Sequence, residues 1–378
     1  MYPALAVANK LTASTLQARV LTGDAAIARE DAGEEQKKAE VLWVGAVGGM
    51  ERELVTREGI KFEAIQAGQV VGVGLWRGGW GLAKLGWGAV QAAQLVWRFK
   101  PDVLFVTGGY TAIPVAIVCW LARVPILVYL PDIEPGSAVK WVARFAATIA
   151  TTTEESRGYF PNKHVVVTGY PVRAQVAQGT RDLALKHFGL VESRKTLLVF
   201  GGSRGARSLN TALMAALDDL LADLQIIHVS GELDWPRVKA RRDGLPDERR
   251  VHYHAFPYLH EDMGLAFAAA DLAVSRAGAS VLGEFPMFGL GAILVPYPYA
   301  WRYQKVNADF LAARGAAVRL DDEALKQKLA STVRELISDP SRLAAMGAAA
   351  RALAMPEAAE NIALELSRLA ERRRGQDL

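Results

Sequence analysis

DLAVSRAGASVLGEFPMFGLGAILVPYPYAWRYQKVNA, residues 271–308, holds two short apolar runs, Leu272–Val274 and Ala292–Val295, each closed by a polar or Gly/Pro-rich turn. Between them the chain starts small and polar, from Ser275 through Arg276, Ala277, Gly278 and Ala279 to Ser280, and then turns amphipathic. That order reads as strand, tight loop, helix, strand. Small residues at a helix N-terminus leave backbone N–H groups open to an anion, and the helix dipole adds to the attraction. Glu284 is expected about one turn into that helix. A carboxylate there repels phosphate but accepts hydrogen bonds from sugar hydroxyls. The plainer reading is a loop–helix junction whose acid serves the dipole.

The 378 residues suffice for two domains, and the 51% apolar content supports large cores. A net charge of +4 and a pI near 9.1 suit anionic partners: nucleotides, phospholipid surfaces or nucleic acid. The single cysteine, Cys119, lies in an apolar run and reads as a small buried hydrophobe. One thiol permits no internal disulfide, which fits a cytosolic protein, and clustered Cys/His metal spacing is absent. The first residues lack the basic start and sustained apolar core of a signal peptide. The most apolar stretch, 113–130, is interrupted by Pro114, Arg123 and Pro125, so it reads as a buried helix and strand and not as a membrane span.

Taken in order, the chain opens in what reads as the first turn of a helix, with Pro3 at a favoured early position. An α/β domain normally puts a strand and glycine turn before its first helix. Residues 23–40 are polar and read as a surface loop. VLWVGAV (41–47) reads as a strand and 50–59 as a short helix. In 68–88, Trp76, Trp80, Leu82, Leu85 and Trp87 are interleaved with Arg77, Lys84 and glycine. Apolar side chains beside cations are what an interfacial membrane segment needs; a loop tucked onto the core is the competing reading. Strands at 103–109 and 126–130 follow, the second leading into the loop Pro131–Gly136. The acids Asp132 and Glu134 in that loop read as turn and cap more readily than as a metal pair.

The second half restarts the same grammar. TLLVFGGSRGARSLNTAL (196–213) is strand, glycine loop, helix. Gly201, Gly202 and Gly205 permit close backbone approach, and Ser203 offers a hydroxyl to phosphate. No Walker lysine follows, and no acid is expected at the ribose position after IIHVSG (226–231), which argues against a dinucleotide oxidoreductase. Residues 323–371 read as helical. The plan is two α/β halves with mostly parallel sheets, and ligands belong beyond the strand C-termini. Two such halves facing each other make a cleft for two substrates.

The ordered set of Pro3-Ala-Leu-Ala, GGY (108–110), GYPVR (169–173), GGSRGARSLN (201–210), Ser275–Ser280 with Gly283-Glu284, and QKVNA (304–308) resembles the MurG glycosyltransferase family over nearly the whole chain. The resemblance implies a GT-B fold of two Rossmann-like domains: an acceptor and membrane domain over 1–165, a UDP-sugar domain over 166–348, and a C-terminal helix, 349–378, returning to the first. It implies inverting transfer of GlcNAc from UDP-GlcNAc to lipid I, giving lipid II in peptidoglycan synthesis, with no metal or other cofactor. It implies a peripheral position on the cytoplasmic face of the cell membrane, an anionic surface, contacts with cell-wall and division proteins, and no nucleic acid. Carried over by position, Ser203 and Arg173 resemble the diphosphate contacts, with Arg173 also near uracil, and the backbone at Leu259-His260 resembles the uracil reader. Ala279, Ser280, Val281, Leu282 and Gly283 supply the helix N-terminus beneath the diphosphate. Glu284 resembles the ribose ligand and Gln304 the GlcNAc ligand, with Asn307 behind it.

The sequence departs from the pattern twice. The family has a strand and a GGTGGH loop ahead of the Pro-Ala-Leu segment; none of the six histidines here falls where that loop's proposed base would, and without the strand the sheet is expected to carry a gap. The family's HEQN loop is replaced by Tyr129-Leu-Pro-Asp132, which sets Asp132 where the resemblance has a sugar-contacting asparagine; with the histidine absent the catalytic base is left unassigned, and Asp132 is a substitute for it. A transferase using another lipid acceptor, and a non-catalytic UDP-sugar-binding cell-wall protein, remain the alternatives.

Overall fold

The computed structural model describes residues 2–13, 19–23, 25–27, 39–49, 51–66, 75–202, 205–298 and 303–376. It divides into two compact units, Met1–Pro171 with Glu357–Leu378, and Val172–Pro356. The first contains α1 (Tyr2–Ala13), β1 (Arg19–Gly23), β2 (Ala25–Ile27), β3 (Glu40–Ala46), α2 (Glu51–Arg57), β4 (Lys61–Ile65), α3 (Leu75–Phe99), β5 (Val103–Val106), α4 (Ala112–Leu121), β6 (Ile126–Leu130), α5 (Ser137–Val142), β7 (Thr148–Thr151) and β8 (Val165–Val167). Its eight strands run β4-β3-β1-β2-β5-β6-β7-β8, and only β2 pairs antiparallel to its neighbours.

The second unit contains α6 (Ala174–Ala177), α7 (Arg181–Phe188), β9 (Lys195–Phe200), α8 (Arg207–Leu220), β10 (Leu224–Val229), α9 (Trp235–Asp243), α10 (Asp247–Arg250), β11 (Tyr253–Phe256), α11 (Met263–Ala269), β12 (Leu272–Ser275), α12 (Glu284–Phe288), β13 (Ala292–Leu294), α13 (Tyr303–Ala313), β14 (Ala317–Arg319), α14 (Leu325–Ile337) and α15 (Pro340–Arg351). Six parallel strands run β11-β10-β9-β12-β13-β14. The chain then returns to the first unit as α16 (Ala358–Gln376), which packs on α1.

Helix spacing explains that return. Ala359, Ile362, Ala363, Leu366, Leu369 and Ala370 recur at three- and four-residue intervals and are all buried, in one cluster with Ala4, Leu5, Val7, Ala8 and Leu11 of α1. Lys10 and Glu360 pair at the exposed margin.

Several expectations are corrected. Within 23–40, expected as a surface loop, Gly23 closes β1 and 25–27 form β2, while 28–38 lie outside the described residues. β1 takes the sheet position expected to be empty, since Arg19–Gly23 pair in parallel with Glu40–Val44 and Val20 pairs with Val103. An unpaired slot between buried strands would leave two rows of backbone groups unsatisfied, and β1 supplies them. Residues 75–88 open the long helix α3 and do not form a loop on the core. The unit boundaries fall later than 165 and 348, because β8 pairs with β7 and α15 packs on α12 and α14. The helix expected after Ser275 is broken into a four-residue 3-10 turn, Ala279–Leu282, and the five-residue α12, so Glu284 opens a helix and does not stand one turn inside it.

Leu366→Ala is expected to destabilise the first unit by about 3 kcal/mol in chemical denaturation, whereas Leu364→Ala, on the exposed side of the same helix, stays within about 0.5 kcal/mol.

Candidate active site

The C-terminal ends of the second sheet gather most of the expected ligand residues. β9 runs into the glycine loop, where Gly202 and Gly205 have φ of 83° and 72°. A Cβ on Gly205 would lie 2.4 Å from the Ser230 carbonyl oxygen, so only glycine fits that approach to the end of β10. Ser203 lies outside the described residues.

A buried polar network ties α8, which leaves the loop, to the end of β10. The Asn210 amide of α8 donates to the Ser230 carbonyl at 2.9 Å and to Asp234 Oδ2 at 3.0 Å. Its Oδ1 accepts from His228 Nε2 at 3.0 Å, and His228 Nδ1 accepts from the Tyr253 hydroxyl at 2.7 Å. Those partners hold the ring neutral; burial pushes His228 down to about 3, against the pull of Asp234. Acids do follow β10, contrary to the sequence expectation, but buried Asp234 is engaged by Arg207 Nε at 3.0 Å and by Asn210 and is not presented to a ribose.

Beyond β12, Gly278 precedes the 3-10 turn in extended backbone, with ψ of 165°. Val281 and Leu282 are buried, while Ala279, Ser280 and Gly283 are partly exposed at the surface of the turn. The four-residue turn and the five-residue α12 are too short to sustain the helix dipole that the sequence reading expected there. Glu284 is partly exposed as a residue, but its carboxyl is packed among protein atoms. That desolvation pushes it up to about 7, opposed by a Ser280 hydrogen bond and by the Arg173 guanidinium. Arg173, where the chain enters α6, is thus brought into electrostatic reach of Glu284.

Gln304 opens α13, and its Oε1 accepts from the Tyr297 backbone N–H at 2.9 Å. That bond orients the amide so that Nε2 is the end left to a ligand. Asn307 is fully buried one turn behind Gln304 and donates to the Ala277 carbonyl at 3.1 Å, which ties α13 to the loop after β12. After β11, Leu259 is buried and His260 exposed, with the rings of Tyr258 and His260 4.5 Å apart.

In the first unit, partly exposed Asp132 follows β6 in a loop held from beneath. Thr152 Oγ1 donates to the Pro131 carbonyl at 2.8 Å and Ser156 Oγ to that of Ile133 at 3.0 Å. Burial raises the Tyr129 phenol far above its ordinary range; the Thr152 hydrogen bond opposes this and the Asp132 charge adds to it. Among the described residues no group of three or more His, Cys, Asp or Glu could hold a metal. Cys119 is fully buried and its thiol is pushed up to about 12, leaving it inert.

The backbone of Trp76, Arg77, Trp80, Leu82, Lys84 and Leu85 lies on α3, and their side chains are outside the described residues. Trp87 is 60% exposed. Sequence reading missed the rest of that surface: Trp97 on α3 is 80% exposed, and Trp120 and Leu121 on the adjoining α4 are 52% and 68% exposed. Exposed tryptophans on helix faces carry the signal, but helical spacing alone does not tell the outer face from the inner. No described helix is long and apolar enough to cross a membrane.

Two α/β units with mostly parallel sheets, the second carrying a glycine loop, Arg173 and Glu284 beyond its strand ends, fit a GT-B nucleotide-sugar glycosyltransferase. Comparison with known proteins agrees. The glycosyltransferase family 28 N-terminal domain matches residues 33–151 and the family 28 C-terminal domain residues 196–362. The UDP-N-acetylglucosamine–N-acetylmuramyl-(pentapeptide) pyrophosphoryl-undecaprenol N-acetylglucosamine transferase of Roseiflexus sp. (strain RS-1) is 40% identical, covering 99% of this chain and 93% of its own. The transferase of the same name from Symbiobacterium thermophilum is 33% identical over 99% of this chain and 94% of its own. The crystal structure of Acinetobacter baumannii MurG shares the fold, with a TM-score of 0.70 at 24% identity over 97% of this chain and 95% of that one. UDP-GlcNAc 2-epimerase from Neisseria meningitidis also shares it, with a TM-score of 0.59 at 11% identity over 86% of this chain and 90% of that one, so the fold by itself does not choose the reaction. The chain belongs to the MurG family of glycosyltransferases.

Because Glu284 is raised in the folded protein, its protonated form stabilises the fold. That contribution is complete below the ordinary carboxylate range near 4.5 and is lost as pH rises through about 7. The ligand-free protein is expected to lose thermal stability between about pH 4.5 and 7 in excess of any loss shown by Glu284→Gln; parallel profiles for the two proteins would refute the assignment.

Proposed function

We propose that this chain transfers GlcNAc from UDP-GlcNAc, with inversion, to the MurNAc 4-hydroxyl of undecaprenyl-diphospho-MurNAc-pentapeptide, converting lipid I to lipid II for peptidoglycan synthesis. The near full-length 40% identity to a transferase named for this reaction carries the reading. The acceptor oxygen attacks the anomeric carbon, the bond from that carbon to the diphosphate oxygen breaks, and UDP leaves with the electron pair. A base removes the hydroxyl proton. Arg173, the glycine loop and Ser203 offset the charge growing on UDP, so the reading requires no metal. Glu284 as a carboxylate accepts from the ribose hydroxyls, the Gln304 amide donates to the sugar, and the chain at Leu259-His260 reads uracil. Asp132 is the candidate base in this sequence.

Purified protein supplied with UDP-GlcNAc and lipid I is expected to release UDP and form lipid II. Donor binding with no product on any lipid would favour the non-catalytic reading, and turnover on a different polyprenyl acceptor alone would favour the other transferase. Asp132→Asn is expected to lower kcat by at least about a hundredfold with KM for the donor little changed.

The ionised form of Glu284 is the hydrogen-bond acceptor, so affinity for UDP-GlcNAc, whose doubly esterified diphosphate does not titrate in this range, is expected to rise from pH 6 to pH 8, by up to about tenfold per unit below the pKa near 7. Titration calorimetry should show that slope in the parent protein and a flat profile in Glu284→Gln.

Exposed Trp87 and Trp97 on α3 and Trp120 and Leu121 on the adjoining α4, with exposed Lys100 and Arg123 just past the ends of those helices, are suited to lie on an anionic bilayer at the cytoplasmic side, where lipid I and cell-wall or division partners would be met. Trp97→Ser with Trp120→Ser is expected to cut binding to phosphatidylglycerol vesicles by about tenfold; unchanged sedimentation with vesicles would refute this surface.

A further inference from the structure

Among the described residues of the second unit, the best-connected buried cation is one that the donor-site reading does not use. Arg276, the residue after β12, is 9% exposed. Its Nη1 donates to Asp322 Oδ1 at 2.6 Å, to the Val295 carbonyl at 3.2 Å and to that of Pro296 at 3.4 Å. Its Nη2 donates to Ser208 Oγ at 2.7 Å, and Ser208 Oγ in turn donates to Asp322 Oδ1 at 2.7 Å. The guanidinium also lies 5.2 Å from the centre of the Tyr297 ring. One planar fork therefore joins the start of α8 after the glycine loop, the end of β12, the loop after β13, and the 3-10 turn after β14.

The contacts continue into a closed circuit. Tyr297, stacked against Arg276, gives its backbone N–H to Gln304 Oε1 at 2.9 Å. One turn further along α13, Asn307 donates back to the Ala277 carbonyl, beside Arg276 in sequence. The circuit runs over the ends of β9, β12, β13 and β14. The Leu259-His260 loop follows β11, at the far edge of the sheet beyond β10, and takes no part in it.

We propose that Arg276 is a positioning residue for the sugar end of the donor site. Through Tyr297 it sets where Gln304 stands relative to the glycine loop and Glu284, while the uracil-reading loop is set independently. A lysine cannot replace it, because a single ammonium does not reproduce two planar donor edges directed at Ser208 and at Asp322 with the carbonyls.

The inference rests on the UDP-GlcNAc reading, and the test separates the two. Affinities for UDP and UDP-GlcNAc are measured by calorimetry for the parent protein, Arg276→Lys and Ser208→Ala, with thermal melts as a control on folding. Ser208→Ala removes one arm of the fork and leaves the Arg276–Asp322 pair in place. The affinity ratio of UDP-GlcNAc to UDP is expected to fall about tenfold in Arg276→Lys and about threefold in Ser208→Ala, with KM for the donor sugar rising more than kcat falls. A merely structural role would weaken both ligands alike, and an unchanged ratio in both variants overturns the proposal. A parent protein that binds neither ligand would instead refute the donor reading.

Discussion

A parallel sheet must be buried on both faces, and the rest of the first unit depends on that constraint. Along its strands the side chains alternate between two separate cores. Leu42, Val44, Leu104, Val106, Ile126 and Val128 face one, with Ala92, Leu95, Val96 and Phe99 of α3 and Val115, Ala116 and Cys119 of α4. Val41, Trp43, Val103, Phe105, Leu127 and Tyr129 face the other, with α1 and α16. The second face has too few helices from the N-terminal half to cover it, so the chain's last helix completes it. This gives a physical reason for one domain to be built from both ends of the sequence.

The second unit meets a different demand at its strand ends. Loops that bring backbone close to a ligand cannot also pack through large side chains, so they are held from below by polar contacts. His228, Asn210 and Asp234 fix the glycine loop to β10, and Arg276 fixes the next loops to each other. Each buried donor in these networks meets an acceptor, as low-dielectric surroundings require. Glu284 departs from that economy: its carboxyl is desolvated without enough donors to keep it ionised at low pH. A carboxylate awaiting hydroxyl donors has that signature, and so does a site in which a polar ligand completes the hydrogen bonding.

The tryptophan-bearing surface of α3 and α4 and the site differ in how sequence encodes them. Tryptophans between 76 and 87 stand out by composition because glycine surrounds them. Trp97 sits in the amphipathic helix α3 and Trp120 in the almost wholly apolar α4, where an aromatic is as readily core as surface. Only the packing of α3 against α4, and of both on the sheet, turns those two outward.

Sequence by itself determined the two α/β halves, the strands at 103–106, 126–130, 195–200 and 272–275, and the ordered motifs that point to Arg173, Glu284 and Gln304. Strand runs, glycine turns and motif order are local, and local pattern records them. The rest came from tertiary structure because it depends on pairing between distant residues. β1 becomes a strand by pairing beside β3 and β5, a placement that the sequence reading of 19–23 did not assign. Asn307 is buried against the Ala277 carbonyl, and the expected helix after Ser275 is cut short where Val281, Leu282 and Phe285 are buried. The roles of Arg276, Ser208 and Asp322 could not be read along the chain, since 68 and 46 residues separate Arg276 from partners that only the sheet brings together.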